Sequence, residues 1–267
     1  MPYNALATSK TPVLIIYLLD VSRSMGEKLG SRTRIEVTSE ALKRVFEEML
    51  SRSMKCKVPK PRYRVAVYTY SDDVYDVFGG IKTIDEIARI GVPELSTMNL
   101  TNTAAAFEAA ARLLEKELPI IQAADDEELA RNASDPSLHP APLVCHMTDG
   151  EYNTTDPEPI ARRIMQMPVP DGNVLIENIF ISDSILSYQI YDLKTWKGIL
   201  SDEKFTNPYA SKLLVMSSPI PHSYRSVLLE MGGYHLAENA RMLFPGQSPE
   251  LVELGFQMSG ATKTALQ

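Results

Sequence analysis

The sequence predicts a three-layer α/β fold, in which a doubly wound and mostly parallel sheet of about six strands is covered by helices on both faces. Strand-like apolar runs alternate with helix-like runs, as expected when parallel strands are joined by crossover helices. The first run, 13–19, is apolar at nearly every position, which is typical of a strand buried on both faces. Polar side chains follow directly after two of the runs, at the end of the strands where open α/β sheets bind ligands.

Each element is predicted from a local pattern. Helices are predicted where apolar residues recur at helical spacing, and strands where short apolar runs stand between polar segments. Pro157, directly after Asp156, marks the start of a helix because Pro is favoured at the first helical position. The predicted strands are 13–19, 63–70, a short antiparallel edge strand at 76–78, 143–147, 174–182 and 213–216. The predicted helices are 35–52, 84–89, 103–118, 157–167, 224–231 and 248–259.

The 267 residues are expected to form one domain over residues 1–267, with insertions at about 121–141 and 184–208. The first insertion is acidic and polar, and is predicted to extend a helix and then become a loop. The second contains Trp196, the only Trp of the chain. This residue either packs at the edge of the sheet or belongs to an aromatic recognition patch.

Composition excludes several classes of function. Hydrophobic content of 44% and charged content of 23% are typical of a soluble globular protein. The net charge of −7, without a long basic block, argues against nucleic acid as a partner. Cys56 and Cys145 do not suggest a disulfide framework, and no signal peptide or membrane span is recognised. We therefore expect a cytoplasmic protein with no membrane partner.

A pentapeptide of the form Asp-x-Ser-x-Ser follows the first predicted strand. It places Asp20, Ser22 and Ser24 in alternation on a turn. The carboxylate supplies negative charge and the two hydroxyls supply neutral oxygens. Hard cations such as Mg²⁺ prefer oxygen ligands of this kind. The pentapeptide therefore predicts half of a small metal site.

Two other segments could complete this site. Thr101 lies just ahead of a predicted helix, and Asp149 directly follows the predicted strand 143–147. The first and fourth strands are expected to flank the point where the strand order reverses, which would bring Asp20 and Asp149 together. A simpler interpretation remains open for each residue. Asp20 and Ser22 could only cap a turn, Thr101 could only begin a helix, and Asp149 could only form a tight turn before Gly150.

Taken together, these three segments resemble the metal-ion-dependent adhesion site of the von Willebrand factor type A family, over roughly residues 12–182. The resemblance implies a Rossmann-like fold and a Mg²⁺ ion, with Mn²⁺ or Ca²⁺ as alternatives, held by Asp20, Ser22, Ser24, Thr101 and Asp149. It implies that both serines coordinate directly, and that the other three residues bind directly or through water. An acidic residue of a partner protein would fill the open position. The family also suggests that the last helix moves when the metal coordination changes.

The resemblance further implies an interaction module without catalytic residues, not an enzyme. The predicted intracellular location fits the soluble bacterial members that work in multiprotein complexes better than it fits extracellular adhesion proteins. Some of those act with ATPases of the AAA+ class, and others resemble proteins linked to kinases and phosphatases. We therefore expect a protein partner that supplies an Asp or Glu carboxylate.

Two other functions remain open. A phosphoryl-transfer hydrolase could use Asp20 as its nucleophile, although position 22 carries Ser where such an enzyme usually has a second acid. The domain could also be a metal-free scaffold. Asn99-Leu100 departs from the Gly-rich segment that often precedes the family's Thr, so the backbone around Thr101 is expected to differ. Glu151 is expected to face water, and His146 to be a satisfied core residue.

Overall fold

A seven-stranded sheet forms the centre of the computed structural model, which describes residues 2–150, 152, 155–182, 185–205 and 207–265. Its strands are β1 (Val13–Asp20), β2 (Tyr63–Tyr70), β3 (Val74–Asp76), β4 (Lys82–Thr83), β5 (Leu143–Thr148), β6 (Leu175–Phe180) and β7 (Leu243–Pro245). The strand order is β7-β6-β5-β1-β2-β3, and β4 also pairs with β2. The β7, β6, β5, β1 and β2 strands are parallel, while β3 and β4 run antiparallel to β2. The predicted fold class is confirmed.

The register brings the carboxyl ends of the central strands to one level. Leu19 of β1 pairs with Thr69 of β2 on one side and with Met147 of β5 on the other. The chain runs from β1 to β2 on one side and reaches β5 on the other, so the order reverses between β1 and β5 as predicted. The loops that follow these strands therefore lie beside one another.

Helices cover both faces of the sheet. They are α1 (Arg34–Ser53), α2 (Ile84–Ile90), α3 (Thr103–Arg131), α4 (Glu158–Ile164), α5 (Pro208–Val215), α6 (His222–Gly232) and α7 (Pro249–Ser259). Alternate residues of β1 point to opposite layers, as strand geometry requires. Tyr17 packs against Phe46 of α1 and Phe256 of α7. Its neighbour Ile16 belongs to the core on the other face, together with Phe107 of α3.

The prediction of a strand at 213–216 is wrong, because this segment belongs to α5 and the Ser-rich turn after it. Asn207 caps the helix, since its Oδ1 accepts hydrogen bonds from the amides of Tyr209 (2.8 Å) and Ala210 (3.3 Å). Pro208 then occupies the first turn, where it is favoured. The remaining parallel strand is β7, whose three residues pair with β6.

The two insertions are also resolved into elements. Helix α3 continues through Pro119 to Arg131, so about half of the segment 121–141 is helical. In the second insertion, Trp196 is only 8% exposed and packs against Phe244 of the edge strand β7, with 6.2 Å between ring centroids. This contact supports packing at the sheet edge as the role of Trp196. Among the described residues, no helix is both long and apolar enough to cross a bilayer.

Candidate metal site

The candidate site lies where β1 and β5 end. Asp20 is the last residue of β1 and is completely buried. Its Oδ1 accepts a hydrogen bond from the Ser22 amide (2.8 Å), so Asp20 does cap the turn that follows the strand. Its Oδ2 accepts a hydrogen bond from the hydroxyl of Thr148, the last residue of β5 (2.7 Å). The carboxylate thus joins the ends of the two strands at the reversal point.

Three of the five predicted residues, Ser22, Ser24 and Asp149, form one cluster of side-chain oxygens beside Asp20. The Ser24 hydroxyl donates to Asp149 Oδ1 across 2.8 Å, although 125 residues separate them in sequence. The Ser22 and Ser24 hydroxyl oxygens are 3.1 Å apart. Because the Ser24 proton is directed to Asp149, the Ser22 hydroxyl is the donor between the two serines.

The fifth residue, Thr101, lies in a loop that is bonded to the turn after β1. The Met98 amide donates to Val21 O (2.6 Å), and the Arg23 amide donates to Asn99 O (3.3 Å). Thr101 itself is buried, with 6% exposure. The loop therefore brings Thr101 to the same edge of the sheet as the serines, as the sequence predicted.

The helix α3 is capped by the next residue and not by Thr101. Asn102 Oδ1 accepts a hydrogen bond from the Ala105 amide (3.2 Å), and the Asn102 amide donates to Ser71 O (2.8 Å). A capping role therefore does not account for the Thr at position 101.

Burial dominates the electrostatics of Asp20. Removal from water raises its pKa from the usual 3.8 to about 6, while hydrogen bonds from Thr148 and Ser22 act in the opposite direction. Asp20 is therefore mainly ionised at neutral pH. Its charge adds to that of Asp149, whose side chain is also fully buried.

The sequence prediction missed one charged residue of this site. Arg34 Nη1 lies 2.8 Å from Asp149 Oδ2 and 3.0 Å from Glu27 Oε2, and it also donates to Ser24 O (3.4 Å). The Arg34 side chain is 13% exposed. A guanidinium group thus contacts the oxygen cluster.

The start of helix α1 fixes the position of Arg34. Thr33 and Glu36 form a capping box, in which the Thr33 amide donates to Glu36 Oε2 (2.7 Å) and the Glu36 amide donates to Thr33 Oγ1 (3.3 Å). Arg34 is the first residue of the helix. A cation is unfavourable there because the helix dipole is positive at that end. This unfavourable positive charge at the start of a helix was the sequence signal that could have indicated the contact of Arg34 with a carboxylate.

His146 lies below the site and is fully satisfied within the core, as predicted. It is completely buried between the Tyr70 hydroxyl and Asn178 Oδ1, at 2.7 Å from each. Burial lowers its pKa from 6.5 to about 4, so it is neutral at pH 7. Glu151, for which we expected contact with water, lies outside the described residues.

The chemistry of the cluster fits a small hard cation. Ligands at neighbouring corners of a Mg²⁺ octahedron are about 3 Å apart, given metal–oxygen distances near 2.1 Å. The separations of Ser22 Oγ from Ser24 Oγ (3.1 Å) and of Ser24 Oγ from Asp149 Oδ1 (2.8 Å) match this spacing. Within the described part of the chain, no three His, Cys, Asp or Glu side chains are grouped for metal binding, so a cation here would depend on hydroxyl ligands.

Comparison with known proteins agrees with this fold. The sequence model of the von Willebrand factor type A domain matches residues 15–133, a little under half of the chain. The match includes Asp20, Ser22, Ser24 and Thr101 but ends before Asp149. No curated protein matches the sequence significantly.

Several solved structures are similar to this chain at low identity. One is the von Willebrand factor type A protein from Catenulispora acidiphila, with 18% identity and a TM-score of 0.43, over 65% of this chain and 34% of that one. A mutant of the PilB minor pilin from Streptococcus sanguinis has 9% identity and a TM-score of 0.50, over 94% and 62%. Proximal thread matrix protein 1 from the mussel byssus, with zinc in its MIDAS motif, has 14% identity and a TM-score of 0.39, over 64% and 38%.

This chain spans less than two thirds of the length of each of these three proteins. At 9% identity, the likeness to the pilin concerns the fold alone. Residues 15–133 are thus similar in sequence to the von Willebrand factor type A domain, and the mostly parallel sheet with its helical layers agrees with that likeness in fold.

Proposed function

We propose that this domain is a metal-dependent protein-interaction module. A divalent cation held by Asp20, Ser22, Ser24, Thr101 and Asp149 would bind an Asp or Glu carboxylate of a partner protein. The observation that carries the proposal is the oxygen cluster at the end of β1 and β5, where Ser22, Ser24 and Asp149 already have the spacing of metal ligands. Mg²⁺ is the cation we propose, with Mn²⁺ and Ca²⁺ as alternatives, because all the donors are hard oxygens.

The bound cation would supply positive charge for recognition. The three hydroxyl ligands are neutral, so only Asp20 and Asp149 offset the charge of a divalent ion, and Asp149 is already paired with Arg34. A carboxylate from outside would be attracted, because Asp20 and Ser22 are buried and water screens charges poorly there. The proposed partner is therefore a protein with an exposed acidic residue.

Apolar side chains beside the site support recognition of a protein surface. Met98 and Leu100, in the same loop as Thr101, are 41% and 57% exposed. Interfaces commonly surround a central polar contact with apolar side chains. A partner could thus bury these two residues while its carboxylate reaches the cation.

The hydrolase alternative receives less support. Both oxygens of Asp20 accept hydrogen bonds and the residue is completely buried, which is a poor arrangement for a nucleophile. Such an enzyme would also need a Lys near the phosphate. The ammonium group of Lys212 already pairs with Asp156 Oδ2 at 2.6 Å. We therefore propose binding without catalysis. The partner that we propose is a cytoplasmic bacterial protein, such as an AAA+ ATPase or a member of a kinase and phosphatase system.

The experiment that tests this proposal is calorimetric titration of chelator-treated protein with Mg²⁺ and Mn²⁺. Saturable binding that is lost in Ser24→Ala, with the fold intact by circular dichroism, would support the site. Asp20→Ala is a second variant, and Ser226→Ala is the control. Ser226 makes a similar hydroxyl bond to His222 O, but within helix α6. Equal binding by wild type and Ser24→Ala would contradict the proposal.

A further inference from the structure

We propose that Arg34 lowers the negative charge of the metal site through its ion pair with Asp149, which weakens binding of the cation alone and makes stable occupation depend on an acidic partner. This inference rests on the proposed metal-dependent binding function. It concerns a residue outside the predicted set of ligands, and it specifies how metal and partner binding are coupled.

The two oxygens of Asp149 have different partners. Oδ1 accepts the hydrogen bond from Ser24, and Oδ2 accepts the hydrogen bond from Arg34, each across 2.8 Å. Arg34 therefore holds the carboxylate in one orientation, with Oδ1 directed toward the serine hydroxyls. Oδ1 remains the oxygen suited to a cation beside Ser22 and Ser24.

This ion pair is shielded from solvent. The side chains of Arg34 and Asp149 are 13% and 0% exposed, so water screens their interaction poorly. Glu27, the other acidic neighbour of Arg34, is 65% exposed and is much better screened. Glu27 consequently offsets the positive charge of Arg34 only in part.

The buried charges determine the net charge that the site presents to a cation. Asp20 and Asp149 carry two negative charges, and Arg34 carries one positive charge, so the site presents about one net negative charge to a divalent cation. The occupied site would then keep about one positive charge, which one carboxylate of a partner would neutralise. Metal and partner should each raise the affinity for the other, and by the same factor.

The location of Arg34 argues that this charge serves the site. A cation at the first residue of α1 opposes the helix dipole, so the position is not explained by helix stability. In addition, Arg34 Nε is buried without a hydrogen-bond partner among the residues that the structure describes. The contacts with Asp149, Glu27 and Ser24 O are all made by Nη1.

The test compares the affinity for Mn²⁺ of chelator-treated wild type, Arg34→Gln and Arg44→Gln, measured by electron paramagnetic resonance and calorimetry. Removal of a positive charge near a divalent ion should tighten binding on the order of tenfold, even in a medium close to water. Arg44 is the matched control, because it lies on the same helix and pairs with Glu40 and Glu253 at the surface. Its substitution should leave the affinity unchanged.

A second measurement uses acetate as the carboxylate probe. Acetate should raise the Mn²⁺ affinity of wild type more than that of Arg34→Gln, relative to nitrate at equal ionic strength. A purely structural role for Arg34 would predict weaker metal binding in Arg34→Gln and no difference in the acetate effect. Weaker metal binding in Arg34→Gln, or an equal acetate effect in the two proteins, would overturn the inference.

The outcomes separate this inference from the function on which it rests. If Ser24→Ala loses Mn²⁺ binding while Arg34→Gln binds like wild type, the metal site stands and the role of Arg34 is wrong. If no folded protein binds Mn²⁺, both proposals fail. If Arg34→Gln does not fold, Glu27→Gln gives the test at an exposed residue: it should weaken binding of the metal alone, and unchanged affinity would contradict the charge balance.

Discussion

His146 donates a hydrogen bond from Nδ1 to Asn178 Oδ1 across 2.7 Å, between neighbouring positions of β5 and β6. The orientation of Asn178 is fixed because its amide nitrogen donates to Ser217 Oγ (2.9 Å) and Met216 O (3.2 Å). His146 Nε2 therefore accepts the hydrogen bond from the Tyr70 hydroxyl (2.7 Å). The two hydrogen bonds fix the tautomer of the imidazole, while burial keeps it neutral.

The neutral His146 should make stability depend on pH. Its pKa is about 4 in the folded protein and 6.5 when exposed, so the unfolded chain takes up a proton more readily. The contribution is complete above pH 6.5 and is lost as the pH falls toward 4, by about 3 kcal/mol at most. Urea unfolding at several pH values should show this loss as a difference between wild type and His146→Gln. Parallel pH profiles of the two proteins would contradict the prediction.

Glu177 should have the opposite effect. This residue of β6 is completely buried, and among the described residues its carboxyl oxygens have only the weakly donating Cys145 thiol as a polar partner. Burial raises its pKa well above 4.5, so the folded protein holds a proton that the unfolded chain releases. The associated stability is present at low pH and falls as the pH rises above 4.5. Glu177→Gln should therefore gain stability over wild type between pH 5 and pH 8, measured by urea unfolding, whereas Glu115→Gln at an exposed position should not.

The last helix is held to the sheet by a buried hydrogen bond. The Tyr17 hydroxyl of β1 lies 2.6 Å from Ser259 Oγ at the end of α7. Ser259→Ala and Tyr17→Phe should each lower the free energy of unfolding by about 1 kcal/mol. Because they remove the same bond, the double variant should lose less than the sum of the two, and additive losses would show that the bond contributes little.

Trp196 should matter for stability and not for metal binding. Its packing against Phe244 predicts that Trp196→Ala lowers the free energy of unfolding by about 3 kcal/mol or more, because a buried aromatic side chain leaves a cavity. Tyr191, in the same insertion, is 91% exposed, and Tyr191→Ala should have little effect. Thermal unfolding with and without Mg²⁺ would check both variants. A loss of metal affinity in Trp196→Ala at temperatures where it is folded would argue for a role at the site.

Elements with long sequence patterns were predicted more accurately than elements with short ones. Strand β1 and helix α1 were predicted nearly to their ends, because long apolar runs and helical spacing record burial directly. The segment 213–216 was assigned to a strand because four apolar residues fit either structure. The local signals that specify a helix there are the Asn207 cap and Pro208. Strand β7 has three residues and is stabilised by pairing with β6, which no local pattern reveals.

The sequence alone predicts the central strands β1, β2, β5 and β6, the point where their order reverses, and the side chains gathered there. Parallel strands must end at one edge, so the segments containing Asp20 and Asp149 had to meet once β1 and β5 were recognised. Which other residues join them depends on the packing of separate elements. The contact of Arg34 with Asp149 spans 115 residues and depends on the entry angle of α1, on the capping box at Thr33 and on burial of the carboxylate. Periodicity reports which face of an element is buried, but the charge that neutralises a buried carboxylate is set by how separate elements pack.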